Sequence, residues 1–335
     1  MVIYSCSTSK DYTNKKVIPE TILTLENKAI QLGVLPHLGG RIVSLTVANS
    51  KNLLSSDANL WNYKFDKPIK EHISGEFLQL QGHIAWVGPQ NEWWSQQDIQ
   101  IDKRNEKQNW PPDPYLIYGD FKIEKQTKNS ISLLGPESLY TGVQLTNSYT
   151  ILDDGKINIH TSAKNIRTEN IQWDLWLNTR VAGNTKCYVP ILKNGIKNIN
   201  FHDEENVITY QIFDDYFTFN PIAPKTGEKI HASKAFLTPS KPYIFAFIQD
   251  YMFVIHITIY DENLVHPTQG MVEIYNAMAD TQEKSMLELE YHSPYKNLAP
   301  GESMEIEEQW ELVKYTSGDS EKEHLQFIKN WLKEN

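Results

Sequence analysis

Short runs of alternating apolar and polar residues, separated by Gly, Pro, Asn and Asp, make up most of the sequence. Successive side chains of a strand point to opposite faces, so such alternation is typical of half-buried β-strands. The pattern predicts strands at 29–35, 41–47, 130–134, 145–152, 156–163, 172–181, 207–213, 243–249, 251–260, 270–276, 285–291 and 304–315. Most connections are short, and Asp154-Gly155 fits a tight turn between two β-branched runs. The sequence therefore predicts an all-β fold of antiparallel sheets.

Two regions depart from this rhythm. Residues 48–114 are polar, rich in proline, and contain five of the nine tryptophans. Loops that long in a compact domain are usually functional. At the C-terminus, Ser320 and Glu323 form a capping-box signature, which predicts a helix over about 320–334 on the outside of the sheets. The apolar stripe of this helix consists of Leu325, Ile328, Trp331 and Leu332.

Composition supports a packed protein, and the absence of a dividing linker favours one domain over the two that the length suggests. The chain has 335 residues, of which 40% are hydrophobic and 22% charged, and it has no internal repeat. We predict a flexible N-terminal tether at 1–18 and a single domain at 19–335. The net charge of -10 argues against a nucleic-acid partner, which would favour a basic surface. No run of about 18 apolar residues occurs, so no transmembrane segment is predicted.

The N-terminal cysteine leaves the compartment open. Cys6 follows Ile3-Tyr4-Ser5 and precedes a polar stretch, like a lipoprotein cleavage site without its upstream apolar segment. One hypothesis is therefore a lipid anchor at Cys6, which would make the chain a periplasmic or outer-membrane lipoprotein. The other is an ordinary exposed cysteine in a cytoplasmic protein. Cys187 is the only other cysteine, and the pair provides neither a disulfide framework nor a metal spacing.

Several segments together carry a resemblance to a known superfamily. They are Leu35-Pro36-His37-Leu38-Gly39-Gly40-Arg41-Ile42, Gly82-His83-Ile84-Ala85-Trp86, Trp110-Pro111-Pro112-Asp113, Leu287-Glu288-Leu289-Glu290 with Pro294, and Leu298-Ala299-Pro300-Gly301-Glu302. In order and spacing they resemble the galactose mutarotase-like superfamily of aldose 1-epimerases, and more narrowly its DUF4380 family. The resemblance implies a β-supersandwich with a cleft on the concave face of a sheet for a mono- or oligosaccharide, and no cofactor.

Acidic side chains share one face of a late strand. Alternation over 285–292 places Glu288, Glu290 and His292 on the same side. If the preceding strands are its neighbours, Glu273 and His256 would join them in one polar patch. Carboxylates that close together push their pKa values apart, which assigns acid and base roles. The three side chains of the strand could also bind a divalent cation, but no further spaced ligands accompany them, and we predict no metal.

The resemblance implies roles for some of these residues. The late-strand glutamate of aldose epimerases acts as base on the anomeric hydroxyl, and Glu290 matches it. The epimerase histidine that protonates the ring oxygen has no counterpart in the strand that contains Asn178. We therefore predict His83 as the acid, with His256 second. The alternatives are that the glutamates face solvent and that both histidines are structural.

Arginines and tryptophans complete the predicted site, whose substrate-binding residues also include Asn178, His256, Glu273 and Glu288. Arg41 and Arg180 interrupt apolar strands, where a charge needs a partner. That partner is either a sugar hydroxyl or carboxylate, which would indicate an acidic sugar such as a uronic acid, or a structural salt bridge. Trp86, Trp94 and Trp110 would stack on a pyranose ring, or else pack the long loops onto the sheet.

Three functions fit these residues. The first is a carbohydrate-active enzyme similar to aldose 1-epimerases, with acid/base chemistry at the anomeric carbon. The second is a carbohydrate-binding module without catalysis. The third is a hydrolase or lyase that cleaves a glycan, which a carboxylate pair also permits.

Overall fold

The computed structural model describes residues 22–47, 50–72, 77–201 and 205–335, with the side chain of residue 201 left out. The predicted tether at 1–18 and Cys6 lie outside the described residues. None of the helices in these ranges is long and apolar enough to span a membrane.

Strands dominate the described residues, and α-helices are few and short except at the C-terminus. The strands are β1 (Leu23–Glu26), β2 (Ile30–Leu35), β3 (Arg41–Val47), β4 (His83–Gly88), β5 (Lys122–Gln126), β6 (Ser130–Leu134), β7 (Val143–Ile151), β8 (Ile157–Asn165), β9 (Ile171–Ala182), β10 (Lys186–Phe201), β11 (Tyr210–Phe213), β12 (Tyr216–Phe219), β13 (His231–Pro239), β14 (Tyr243–Ile248), β15 (Tyr251–His256), β16 (Val272–Met278), β17 (Met286–His292), β18 (Lys296–Leu298) and β19 (Ser303–Lys314). The helices are α1 (Ile101–Asn105), α2 (Pro114–Tyr118) and α3 (Glu321–Glu334).

Most strands form two antiparallel sheets, while β11 and β12 form a hairpin beside β10 and β18 pairs with β9. The first sheet has the order β1–β2–β3–β4–β9–β17–β16–β13–β10. The second has the order β5–β6–β7–β8–β19–β15–β14–β10. Strand β10 belongs to both, because its start pairs with β14 and its end with β13. The predicted all-β class is confirmed.

The two sheets pack face to face around one apolar core. Strand β7 shows how sequence dictates this, because its residues alternate between buried and half-buried along its whole length. Trp310 of the second sheet is fully buried and contacts His83 of the first. Strand β9 is buried at almost every position, which is the pattern of a strand covered on both faces. The outer face of the first sheet, defined as the one that points away from the second sheet, is therefore covered as well.

The C-terminal helix forms as predicted. Ser320 is its N-cap, and the reciprocal capping box with Glu323 is present. Its apolar stripe packs on the outside of the second sheet, where Trp331 contacts Tyr243 and Phe245 edge to face. Burial of this stripe, more than helix propensity, holds the helix in place.

The tryptophan-rich segment is not loop throughout. Strand β4 lies inside it and pairs with β9 near the middle of the first sheet. The apolar run His83–Gly88 is too short and too uniformly buried for alternation to reveal it. The remainder of the segment forms short helical turns and loops, and several of its side chains lie over the outer face of the first sheet.

Candidate functional site

Register and alternation determine which side chains meet on the outer face. Strand β9 pairs with β17 so that Asn178 lies opposite Glu290 and Arg180 opposite Glu288. On the other edge of β17, Glu273 of β16 lies opposite Glu290. The predicted grouping of Glu273, Glu288 and Glu290 is therefore present in the structure.

Aromatic rings surround a cleft of about 270 Å³ over this face. The volume is close to the lower end of the range of small-molecule sites, roughly 300–1,000 Å³. Its tryptophans are Trp86, Trp93, Trp110 and Trp176. The Trp93 and Trp176 rings are stacked, with centroids 6.0 Å apart and planes 25° apart. Trp110 is the most accessible of the four, with 40% of its surface exposed.

Charged side chains line the same cleft. Arg180, Lys234 and Glu288 border it together with Tyr275. The Arg180 Nε donates to Glu288 Oε1 at 2.6 Å, and the guanidinium lies 5.4 Å from the Trp86 ring centroid. Both members of this pair are largely buried. The cleft thus combines flat apolar surfaces with a few fixed polar groups, as small-molecule sites do.

Lys234 of β13 connects the cleft with a buried layer of carboxylates. Its Nζ lies 2.7 Å from Glu273 Oε2 and 2.8 Å from Glu290 Oε2. It also lies 4.6 Å from the Trp176 ring centroid. Although burial disfavours the ammonium, the two carboxylates outweigh it and raise the pKa of Lys234. Glu290 is fully buried beneath the cleft.

A buried histidine extends this layer. His292 lies on the same face of β17, with Nδ1 3.1 Å from Asp174 Oδ1 and Nε2 3.6 Å from Glu273 Oε1. Burial acts to lower the pKa of His292, but Glu273 and Asp174 raise it to about 9. The two carboxylates therefore favour the protonated imidazole.

Burial acts to raise the pKa of both Glu273 and Glu290, but their charged neighbours make the net shifts opposite. Burial acts to raise the pKa of Glu273, yet Lys234 and His292 outweigh it and bring the pKa down to about 2. Burial raises the pKa of Glu290 well above its usual range, because Lys234 offsets only part of the effect and Glu288 and Glu273 add to it. The pKa values of these two neighbouring glutamates are therefore shifted in opposite directions.

Three side chains of this cluster are of the types that bind metal cations. One ligand atom each from Glu273, Glu290 and His292 lie within 4.8 Å of one another. However, the Lys234 ammonium lies at hydrogen-bond distance from both carboxylates. The positive charge that a metal would bring is already supplied by a side chain of the protein.

His83 lies away from the cleft. It is paired with Thr179 on the face of β4 that points toward the second sheet. Its Nδ1 is 2.8 Å from Thr179 Oγ1 and 3.6 Å from Glu308 Oε1. That second distance is within the range of an ion pair, but burial lowers the pKa of His83 to about 3 and raises that of Glu308 to about 8, so both groups are neutral. The structure thus separates His83 from Glu290.

Of the other predicted residues, some lie away from the cleft and one lies on its side of the sheet. His256 lies on β15 of the second sheet, where its Nε2 is 3.0 Å from Glu311. Arg41 is buried, and its guanidinium donates to three main-chain carbonyls at 2.7 to 2.9 Å, an arrangement that is neither of the two predicted partners. Trp94 packs the loops, because its indole N–H donates to the carbonyl of Pro111 at 2.9 Å. Asn178 lies on the same face of β9 as Arg180, which borders the cleft, and its role in binding stays a prediction.

Sequence reasoning missed several residues of this site. Trp176 shares the face of Asn178 and Arg180, so alternation alone could have identified it. Trp93 lies in the same tryptophan-rich segment as Trp86, Trp94 and Trp110, and nothing in the sequence distinguished it from them. Lys234 carried no signal, because its strand was not predicted and lysines are numerous.

A larger cavity, of about 590 Å³, lies elsewhere. Loop residues at 52–55, 248–250 and 315–319 line it, with His324 at its wall. Within the described chain, none of its side chains has a buried polar atom without a partner. The smaller aromatic cleft is therefore the better candidate despite its size.

Comparisons with known proteins agree with the fold. The family model described as "Domain of unknown function (DUF4380)" matches residues 21–313. A galactose mutarotase-like protein from Lactobacillus casei is 11% identical, with a TM-score of 0.53 over 87% of this chain and 100% of that chain. A galactose mutarotase-like protein from Clostridium acetobutylicum is 13% identical, with a TM-score of 0.53 over 88% and 95% of the two chains.

A third structure supports the same conclusion. The Slr1438 protein from Synechocystis is 13% identical, with a TM-score of 0.51 over 93% of this chain and 100% of that chain. None of the curated proteins compared matches the chain. Identities this low establish the fold and leave the activity to be argued from the site.

Proposed function

The chain belongs to the DUF4380 family and has a galactose mutarotase-like fold, and from this premise we propose that it binds a sugar residue in the aromatic cleft of its first sheet. The observation that carries the proposal is the convergence of four tryptophans with Arg180, Lys234 and Glu288 in one cleft. Indole rings pack on the apolar face of a pyranose, while charged and amide groups bind its hydroxyls.

Buried polar atoms beneath the cleft support a hydroxyl-rich ligand. The indole nitrogens of Trp86 and Trp176 and both polar atoms of the Asn178 amide have no hydrogen-bond partner among the described residues. Buried polar groups are nearly always paired, and leaving one unpaired costs about 1–3 kcal/mol. A ligand whose hydroxyls both donate and accept would suit this set, because it contains indole donors and an amide that does both.

Binding without catalysis is the function that the geometry supports best. The charged groups that border the cleft have pKa values shifted away from neutral pH. The pKa of Lys234 is raised, and the pKa of Glu288, despite its burial, is kept low by Arg180 and Lys234. Acid/base catalysts work best with a pKa near the working pH. Lys234 also lies against Glu290, the residue predicted as a base.

Isothermal titration calorimetry with a panel of sugars tests this proposal. The panel contains neutral monosaccharides, uronic acids and oligosaccharides, so that an acidic sugar held by Arg180 or Lys234 would be detected. Trp110→Ala should weaken binding at least tenfold without unfolding the protein, because this ring is the most exposed of the four. Trp61→Ala is the matched control, since that tryptophan lies outside the cleft and should retain the affinity. Equal affinities in both variants, or no binding of any sugar, would refute the proposal.

Acid/base chemistry at the anomeric carbon is the second candidate. It is favoured by Glu288 at the cleft with Glu290 directly beneath, because the pKa of Glu290 is raised and that of Glu288 is lowered. Nuclear magnetic resonance exchange between sugar anomers would detect it. Glu290→Gln should then abolish exchange and leave the dissociation constant of the sugar unchanged. Anomer exchange at the uncatalysed rate with the wild-type protein would leave binding as the function.

A further inference from the structure

The charged side chains of the outer face form a continuous series. Neighbours in it are joined by ion pairs or hydrogen bonds across four strands, and the ion pairs have N–O separations of 2.6 to 3.6 Å. In order, its members are Asp174, His292, Glu273, Lys234, Glu290, Glu288 and Arg180. Acids and bases alternate along this series except at one step, where Glu290 is followed by Glu288.

The composition of the series leaves one negative charge in excess. It contains four carboxyl groups and three basic side chains, and every member is largely or fully buried. An uncompensated buried charge is expensive, and proteins usually avoid the cost by neutralising the group. One carboxyl group of the series should therefore be protonated.

The hydrogen-bond pattern indicates which carboxyl groups hold that proton. The Oε2 of Glu290 accepts from Lys234, whereas its Oε1 is buried and has no donor among the described residues. The Glu288 carboxyl is within hydrogen-bonding range of Glu290, and its own Oε1 accepts from Arg180. Two carboxylates cannot hydrogen-bond, because both only accept, but a protonated carboxyl donates to a carboxylate.

We infer that Glu288 and Glu290 share one proton at neutral pH and form a proton-donating pair at the cleft. Glu273 remains ionised between Lys234 and His292, whereas at the like-charged step one proton satisfies an oxygen of each carboxyl group. Burial raises the pKa of Glu290, in agreement with this position of the proton. The shared proton explains how Glu290 can be buried without a second cation.

The pair also provides the acid that the strand of Asn178 lacks. This use of the pair rests on the second candidate function, acid/base chemistry on a sugar bound in the cleft. Glu288 borders the cleft and would pass the proton to the ring oxygen of a bound aldose, where the C1–O5 bond breaks and leaves its electron pair on O5. The pair then accepts the proton of the 1-hydroxyl as the C1=O1 bond forms, so it ends with the proton number with which it began.

Infrared spectroscopy of the protein without any ligand tests the shared proton. A protonated carboxyl has a C=O stretching band that a carboxylate lacks. We expect such a band at pH 7 that is absent from Glu290→Gln. Glu308→Gln is the control, because Glu308 is a separate buried carboxyl of the core and its replacement should leave the Glu290 band in place. A spectrum in which Glu290→Gln removes no band would overturn the inference.

Urea unfolding provides a second, independent test. Glutamine has the shape of a protonated glutamate, so Glu290→Gln should retain the wild-type urea midpoint. Glu273→Gln should lower the midpoint strongly, because it removes the counter-charge of Lys234 and His292. Equal losses in the two variants would refute the shared proton, and if Glu273→Gln does not fold, a wild-type midpoint in Glu290→Gln supports it. Neither measurement uses a sugar, so failure of sugar binding would leave the inference standing.

Discussion

Replacing Glu308 by glutamine should make the protein more stable at neutral and alkaline pH. The Glu308 carboxyl is 4% exposed in the core between the sheets, where its Oε1 accepts from the indole N–H of Trp310 at 2.7 Å. Burial raises the pKa of this carboxyl from 4.5 to about 8, with the Trp310 hydrogen bond opposing the shift. Glutamine retains an acceptor for Trp310 and cannot ionise.

The sign and size of the effect follow from this pKa. A carboxyl whose pKa is raised by folding stabilises the folded state most below pH 4.5, and this stability is lost as the pH rises through about 8. A difference of one in pKa corresponds to about 1.4 kcal/mol. The wild-type protein should therefore lose about 3 kcal/mol by pH 7 and about 5 kcal/mol by pH 9, relative to acid conditions, because of this group.

Urea unfolding followed by tryptophan fluorescence from pH 5 to pH 9 measures the difference. The advantage of Glu308→Gln should grow with pH and reach several kcal/mol at pH 9. Glu307→Gln is the matched control, because the adjacent Glu307 side chain is 75% exposed and its replacement should change stability by less than about 0.5 kcal/mol. If Glu308→Gln unfolds at the wild-type urea concentration at pH 9, the assignment of a neutral buried carboxyl is wrong.

Two further substitutions test the parts of the fold that position the cleft. Arg41→Lys should lower the free energy of unfolding by about 2 kcal/mol and leave sugar affinity unchanged, because one ammonium cannot satisfy the three carbonyls of Leu38, Gln81 and Ile117. Urea titration and calorimetry together check this, and a loss of affinity without a loss of stability would contradict it. Trp331→Ala should cost about 3–5 kcal/mol by removing the edge-to-face ring that holds α3 on the second sheet, and an unchanged urea midpoint would show that the helix is dispensable.

Local pattern was sufficient for much of the fold. Alternation located most long strands, and the capping box at Ser320 and Glu323 marked the start of the C-terminal helix. Strand β4 was not predicted because a uniformly buried run has no period of two, and β13 was not predicted because its burial pattern departs from strict alternation.

Face sharing within one strand was also predictable. Glu288, Glu290 and His292 had to point the same way because a strand has a side-chain period of two. What alternation cannot say is which face is the core, and this is why His83 was assigned to the cleft although it points toward the second sheet.

The sequence by itself thus determined the class of fold, the C-terminal helix and the composition of each strand face. Tertiary structure decided which faces meet. Lys234 reaches Glu273 and Glu290 because β13 pairs with β16, a contact that links segments about 40 residues apart. His256 is separated from them because the chain after β15 crosses from the second sheet to the first before β16 begins. Pairing between distant strands depends on burial of the whole core, so no local pattern of residues encodes it.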